Sequence, residues 1–131
     1  MINTNIYNYI NVLDKAADAA NSRHAILSNN IANVDTPNYK RKDVSFERYL
    51  EQELVGDEPL SERVEEVNKH LKDFGGLIYT DHSILSYRLD GNNVDMDTEQ
   101  AYLAENQIRY NVLTSQISAE FGRYKTVLSS N

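Results

Sequence analysis

The chain contains no cysteine, which excludes a disulfide framework, a thiolate metal site and a cysteine nucleophile. Proline and glycine are sparse, two and five in 131 residues, so few points interrupt the backbone and long helices are expected. No apolar run reaches the roughly 18–20 residues needed to span a bilayer. The first ten residues lack the basic start and continuous apolar stretch of a secretion signal, so no cleavable signal peptide is expected. Positive charge is also scarce, with 13 Lys and Arg against 20 Asp and Glu. Phosphate binding needs clustered cations, and only Lys40, Arg41 and Lys42 sit together, so nucleic acid is a poor partner.

What is present is an ordinary soluble composition, 40% hydrophobic and 25% charged, with room for about one domain over residues 1–131. The charge is unevenly placed. Residues 1–55 carry 6 basic and 7 acidic groups, 56–99 carry 4 and 11, and 100–131 carry 3 and 2. Near-neutral ends approach copies of themselves with little Coulomb repulsion, whereas an acidic middle prefers solvent or a basic partner.

From Ile6 the apolar positions step by four and three: Ile6, Ile10, Leu13, Ala17, Ala20, His24, Leu27, Ile31, Val34. That heptad seam predicts a helix over 4–33, capped by Asn3, Thr4 or Asn5 and ended before Pro37, whose ring pushes the preceding residue out of the α region. A second helix is predicted over 97–129, opening at Asp97 with Gln100 three residues on as in a capping box, and with the seam Leu103, Gln107, Tyr110, Thr114, Ile117, Phe121, Tyr124, Leu128. Each helix would run roughly 45 Å, so the two match in length. The expected fold is mainly α: an antiparallel, coiled-coil-like hairpin of terminal helices around an irregular middle over 34–96. Within that middle, 44–54 reads as a short helix, 56–59 as a loop and 61–72 as another possible helix. Gly75-Gly76 reads as a break, and 77–89 suits extended structure or a small hairpin.

More apolar helix surface is present than one hairpin hides. On the second helix the face opposite the seam carries Ala101, Glu105, Ile108, Val112, Ser115, Ala119 and Gly122; on the first, Tyr9, Val12, Ala16, Ala19 and Ile26 widen the apolar arc. The middle segment, a membrane surface or other subunits must cover these. Basic residues are too few for the membrane, and small residues favour close helix packing over a ligand pocket. Polar seam positions His24, Gln107 and Thr114 cost stability and can fix register.

Chemistry-bearing patterns are weak. His24, His70 and His82 lack metal-ligand spacing. A calcium loop begun at Asp90 would put Val94 at a ligand position and Asp95 where glycine is required. Asp81-His82 has no glycine-flanked nucleophile turn nearby, and no phosphate-cradling glycine loop exists. The expectation is no catalytic residue, no cofactor, no metal and no small-molecule substrate.

The segment Asn29-Asn30-Ile31-Ala32-Asn33-Val34-Asp35-Thr36-Pro37-Asn38-Tyr39 is a helix end followed by a turn, since asparagine amides bond terminal backbone groups and Pro37 presets φ. It resembles the signature of the flagellar rod and hook family, in which an Asn-Asn-Ile-Ala-Asn helix end precedes Thr-Pro-Gly-Tyr. Asn38 replaces the glycine, and both residues accept positive φ. A second stretch, Leu89-Asp90-Gly91-Asn92-Asn93-Val94-Asp95-Met96-Asp97-Thr98-Glu99, followed by Leu103-Ala104-Glu105-Asn106 and Arg109-Tyr110, resembles the opening of that family's C-terminal helix. The likeness covers both ends and leaves the middle unmatched.

The short middle and short C-terminus look most like the family's proximal rod subunits. The resemblance implies export through the flagellar type III apparatus and helical assembly in the extracytoplasmic rod of the basal body. Partners would be the export gate, other rod subunits, the ring-to-rod adaptor and copies of the same chain. It implies an assembly interface on the terminal helices, for which Ile6, Ile10, Leu13, Leu27, Ile31, Leu103, Ile108, Tyr110, Val112, Ile117, Phe121, Tyr124 and Leu128 are the candidates. It also makes Phe46 and Leu50, an aromatic and an aliphatic four apart, a candidate export-gate motif, although that spacing equally serves ordinary helix packing. The alternative from another class is an acidic helical chaperone or adaptor that holds a partner helix in its apolar groove.

Overall fold

The structure is a computed structural model in which residues 4–71, 77–84 and 88–130 are described, with side chains from Tyr7 onward. Helix α1 spans Thr4–Ala32, strand β1 Lys42–Val44, helix α2 Phe46–Leu54, helix α3 Leu60–His70, strand β2 Ile78–Thr80 and helix α4 Met96–Ser129. The predicted ends of the long helices thus stand to within a residue. The break at Gly75-Gly76 lies outside the described residues.

Helices α1 and α4 pack along their lengths as an antiparallel hairpin, with Leu27 fully buried and Ile10, Ala17 and Ala20 also in the core. Near its open end the Tyr7 hydroxyl donates to that of Tyr124 at 2.7 Å, and the two rings meet edge to face. α1 has a second buried face. Its Val12 forms a cluster with Phe46 of α2 and Val64 and Val67 of α3, onto which Ala16, Ala19, Tyr49, Leu50 and Leu54 pack. Phe46, Tyr49, Leu50 and Leu54 recur at helical spacing, so α2 presents a single apolar stripe. The apolar arc of α1 is therefore covered by the chain's own middle segment at Val12, Ala16 and Ala19, while Tyr9 stays exposed.

Three features differ from expectation. The short helix begins only at Phe46, because residues 42–44 are extended and pair with β2 as an antiparallel two-stranded sheet, Asp43 opposite Tyr79. The strand within 77–89, β2, is extended as one of the two readings had it, and its partner lies before α2 rather than beside it in sequence. The α4 cap is Asp95 rather than Asp97. Asp95 is extended (φ −104°, ψ 115°) and its side chain accepts from the Thr98 amide at 3.0 Å, which leaves Asp97 inside the first turn near the positive helix end.

The inward face of α4 also has a different phase. Its covered positions include Glu99, Leu103, Asn106, Leu113, Thr114, Ile117, Glu120 and Tyr124, so Asn106 and Glu120 are covered where Gln107 and Phe121 were expected, while Thr114 is half-covered as predicted and Tyr110 sits at the exposed margin. Gln107 and Phe121 are exposed, as is His24 on α1. Glu99 is bonded by Asn30 of α1 and by Arg41, just before β1, and Asn106 donates to the Ala20 carbonyl of α1.

Candidate assembly surface and the polar cluster beneath it

The two motif segments meet at the closed end of the hairpin. Asn30, buried near the end of α1, uses every hydrogen-bonding position of its amide. Its Nδ2 donates to the Lys42 carbonyl (2.7 Å) and Glu99 Oε2 (3.0 Å), and its Oδ1 accepts from the Lys42 amide (3.0 Å) and the Tyr39 hydroxyl (3.1 Å). Asn92 caps the same helix end from the other motif: its Nδ2 reaches the carbonyls of Asn33, Val34 and Thr36, and its Oδ1 accepts from the Val94 amide. Asn93 accepts from the Arg41 amide and donates to the Asp81 and Ser83 carbonyls. Asn29, Asn33 and Thr36 are joined by side-chain bonds on the exposed side, where Ala32 and Pro37 also lie.

Asn38 takes the left-handed conformation (φ 60°) and its amide donates to the Asp90 carbonyl. Gly91 faces it at φ 74°, where an added Cβ would sit 2.6 Å from Asn38 Oδ1. Here positive φ favours glycine, and an added Cβ would also push the Asn38 side chain aside.

Charge is concentrated just below. Arg41 donates to Glu99 Oε1 and Asp43 Oδ2, with Asp81 Oδ2 at 3.6 Å, while Arg23 of α1 donates to both oxygens of Asp43. Both guanidiniums lie 5.5 Å from the centre of the Tyr102 ring. Burial works to raise the Asp43 carboxyl, but bonds from Arg23, the Val44 amide and Arg41 overcome it and hold Asp43 below the usual carboxylate range. Burial likewise opposes the Arg41 charge, and Glu99 and Asp43 overcome it, leaving that guanidinium more strongly protonated than usual. The Ser83 amide, more than any other group, keeps Asp81 low. Burial pushes the Tyr39 hydroxyl up, with the Glu99 carboxylate adding to it. Each charge in this cluster has an opposite partner, so the arrangement holds elements together rather than presenting a free acid or base. Among the described residues no three His, Asp or Glu side chains gather to hold a metal ion.

The opposite face of α4 is bare. Ile108 is 66% and Val112 56% exposed, and with Asn111, Ser115, Gln116 and Ala119 they line a shallow groove. A Cβ on Gly122 would meet nothing within 4 Å, so the stripe continues flat toward the helix end.

The candidate residues therefore divide. Ile10 and Leu27 are sealed inside this chain, and Leu13, Ile31, Leu103, Ile117 and Tyr124 are half-covered by the hairpin. Ile108, Tyr110, Val112, Phe121 and Leu128 are exposed, and the side chain of Ile6 lies outside the described residues. Phe46 is buried in the α1–α2–α3 cluster with Leu50 packed against it. Sequence reasoning missed Arg23, Asp43, Asn93 and the inward role of Asn106. A charged residue at a seam position, such as Glu99, was the one available signal.

Against known proteins, the sequence profile of the family described as "Flagella basal body rod protein" matches residues 10–40, which take in most of α1 and the turn through Tyr39. The flagellar basal body rod protein FlgB of Bacillus subtilis is 39% identical over 126 residues, covering 89% of this chain and 90% of that protein. FlgB of Borreliella burgdorferi is 35% identical, covering 85% and 88%, and FlgB of Escherichia coli is 30% identical, covering 82% and 83%.

Proposed function

Because the chain belongs to the FlgB flagellar basal body rod proteins, we propose that this structural subunit builds the proximal rod by helical assembly, its α4 stripe meeting neighbouring subunits. A rod protein is a structural component of the basal body, and structure rather than catalysis is its work. The observation that carries the assembly reading is the stripe itself: Ile108 and Val112 stand exposed between small residues on a helix whose other side is already occupied by α1. Small residues let a second helix approach closely, and two uncovered aliphatic side chains reward its arrival with roughly 25 cal/mol per Å² of apolar surface removed from water. The near-neutral charge of residues 100–131 imposes little repulsion between copies.

In this reading the partners are copies of the chain, other rod subunits, the ring-to-rod adaptor and, beforehand, the flagellar type III export gate. Burial of Phe46 bears on that last step. A gate that reads Phe46 and Leu50 must do so on a chain whose α1–α2–α3 cluster is open, in keeping with export in an unfolded state.

The test is Ile108→Asp and Val112→Asp, each placing a charge in the groove. Both variants should still be secreted and should fail to enter the rod, so cells carrying them lose motility. Normal incorporation of both would refute the assigned face.

A further inference from the structure

The hydrogen bonds of the small sheet fix which way each of its residues turns its main chain. The Ser45 amide donates to the Leu77 carbonyl and the Asp81 amide to the Arg41 carbonyl, both at 2.9 Å, and Asp43 stands opposite Tyr79 midway between them. In an antiparallel ladder such bonded pairs alternate with pairs whose amides and carbonyls point away from each other. Lys42 with Thr80 and Val44 with Ile78 are the outward-pointing pairs.

On β1 the outer edge is closed by side chains. Asn30 holds both the amide and the carbonyl of Lys42, and Asp43 Oδ1 accepts from the Val44 amide. On β2 the outer edge is open. Among the described residues none donates to or accepts from the outward amides and carbonyls of Ile78 and Thr80, which leaves two donors and two acceptors along one side of the strand. Its shortness is what blunts this edge, since Ile78-Tyr79-Thr80 carries neither proline nor charge. Ile78 and Tyr79 are 53% and 43% exposed.

Beside the edge lies a cavity of about 300 Å³. Val44 and Ile78, which share one face of the sheet, line it together with Ala19, the buried Phe46, and Lys15 and Asp18 of α1. A strand added opposite Ile78 would set one side chain on that same face, next to the cavity.

We infer that the free edge of β2 receives an extended segment of a different rod subunit, hydrogen-bonded to Ile78 and Thr80 and carrying an apolar side chain toward the cavity. Main-chain bonds hold such a segment and the cavity selects its side chain, which is the general logic of strand addition. A copy of this chain does not supply the segment. Its other extended stretches are engaged with each other: the Asn38 amide donates to the Asp90 carbonyl, the Asn93 amide to the Tyr39 carbonyl and the Arg41 amide to Asn93 Oδ1. Pairing β2 with the β2 of a second copy makes a two-fold contact that closes on itself and extends no rod. That the occupant is a rod subunit rests on the proposed function; that the edge is open to a strand does not.

Proline separates this edge from the sheet behind it. Thr80→Pro deletes an outward amide and puts a ring where the added strand would lie, without removing a bond to β1. The variant should unfold close to the native midpoint and still be secreted, while its incorporation into the rod falls by about fivefold or more, the scale of one net hydrogen bond. Tyr79→Pro removes an amide that faces Asp43 and should lower the midpoint instead. Ile78→Lys, at an exposed position, should reduce incorporation with the fold intact and keeps the test open if proline at 80 disturbs folding. With benzoyl-phenylalanine in place of Tyr79, irradiated basal bodies should yield an adduct to another rod subunit, identified by mass spectrometry, and the purified chain should yield none.

Normal incorporation of both Thr80→Pro and Ile78→Lys would overturn the proposal. An adduct to a second copy, or no adduct in basal bodies that contain the chain, would do the same. Exclusion of the β2 variants alongside normal incorporation of Ile108→Asp would count against the α4 stripe and leave the β2 edge standing.

Discussion

Replacing Asn92 should unfasten the two motif segments, and the structure sets the scale of the loss. Its side chain is 1% exposed. Two amide hydrogens serve three carbonyls, at 2.9 Å from Asn33, 3.0 Å from Val34 and 2.8 Å from Thr36, so they amount to about two bonds in strength. Those carbonyls keep other donors after truncation: the Thr36 amide, an Arg88 Nη2 and the Tyr39 amide, respectively. The Val94 amide loses its acceptor. Three net bonds at about 0.5–1.5 kcal/mol each, one of them leaving a buried donor unpaired, put Asn92→Ala at roughly 2–4 kcal/mol. For a chain of this length that is a fall of roughly 8–15 °C in midpoint. The assay is thermal and urea unfolding followed by helical circular dichroism near neutral pH. Asn92→Asp has nearly the same shape but aims a buried carboxylate at three carbonyl oxygens, so it should lose more than the alanine variant. An alanine loss below about 1 kcal/mol, or an aspartate variant more stable than the alanine one, would refute the reasoning.

Removing one partner of the buried pair, Arg41→Ala, should cost about 3–5 kcal/mol because Glu99 is left charged and enclosed, and joint replacement as Arg41→Met with Glu99→Leu should recover part of that in the same unfolding assay. Asp43 is depressed below its unfolded value, so its contribution is fully present above the ordinary aspartate pKa of about 3.9 and is lost as pH falls through the folded value. Urea midpoints across pH should show Asp43→Asn less stable than the native chain at neutral pH, with the gap closing below about pH 4. Gly91→Ala meets both positive φ and the Asn38 side chain and should cost more than about 1 kcal/mol, whereas Asn38→Gly should change stability by less than about 0.5 kcal/mol, as read by melting.

The long helices were legible because their signals are local: a capping side chain, a heptad of apolar residues, and Pro37 just past the end. Even the missed cap at Asp95 lay only two residues from the expected one. The phase of α4 was not legible for the opposite reason. Choosing Asn106 over Gln107 requires the Ala20 carbonyl, 86 residues earlier in the chain. Likewise β1 and β2 are three residues each, too short for alternation to register, and they find each other across two intervening helices. Of the site, the asparagine motifs could be read singly as a helix end and a helix start. That Asn92 closes the end marked by Asn33, and that Arg41 pins Glu99, follows only from the fold.

The Tyr7–Tyr124 contact sets the first turn of α1 beside the next-to-last turn of α4. A purification tag or fluorescent protein fused at the carboxyl end would therefore crowd the same corner as one fused at the amino end, and neither is a milder control for the other. Reporters for incorporation are better spliced into the exposed loop between α2 and α3, where residues 55–59 all face solvent.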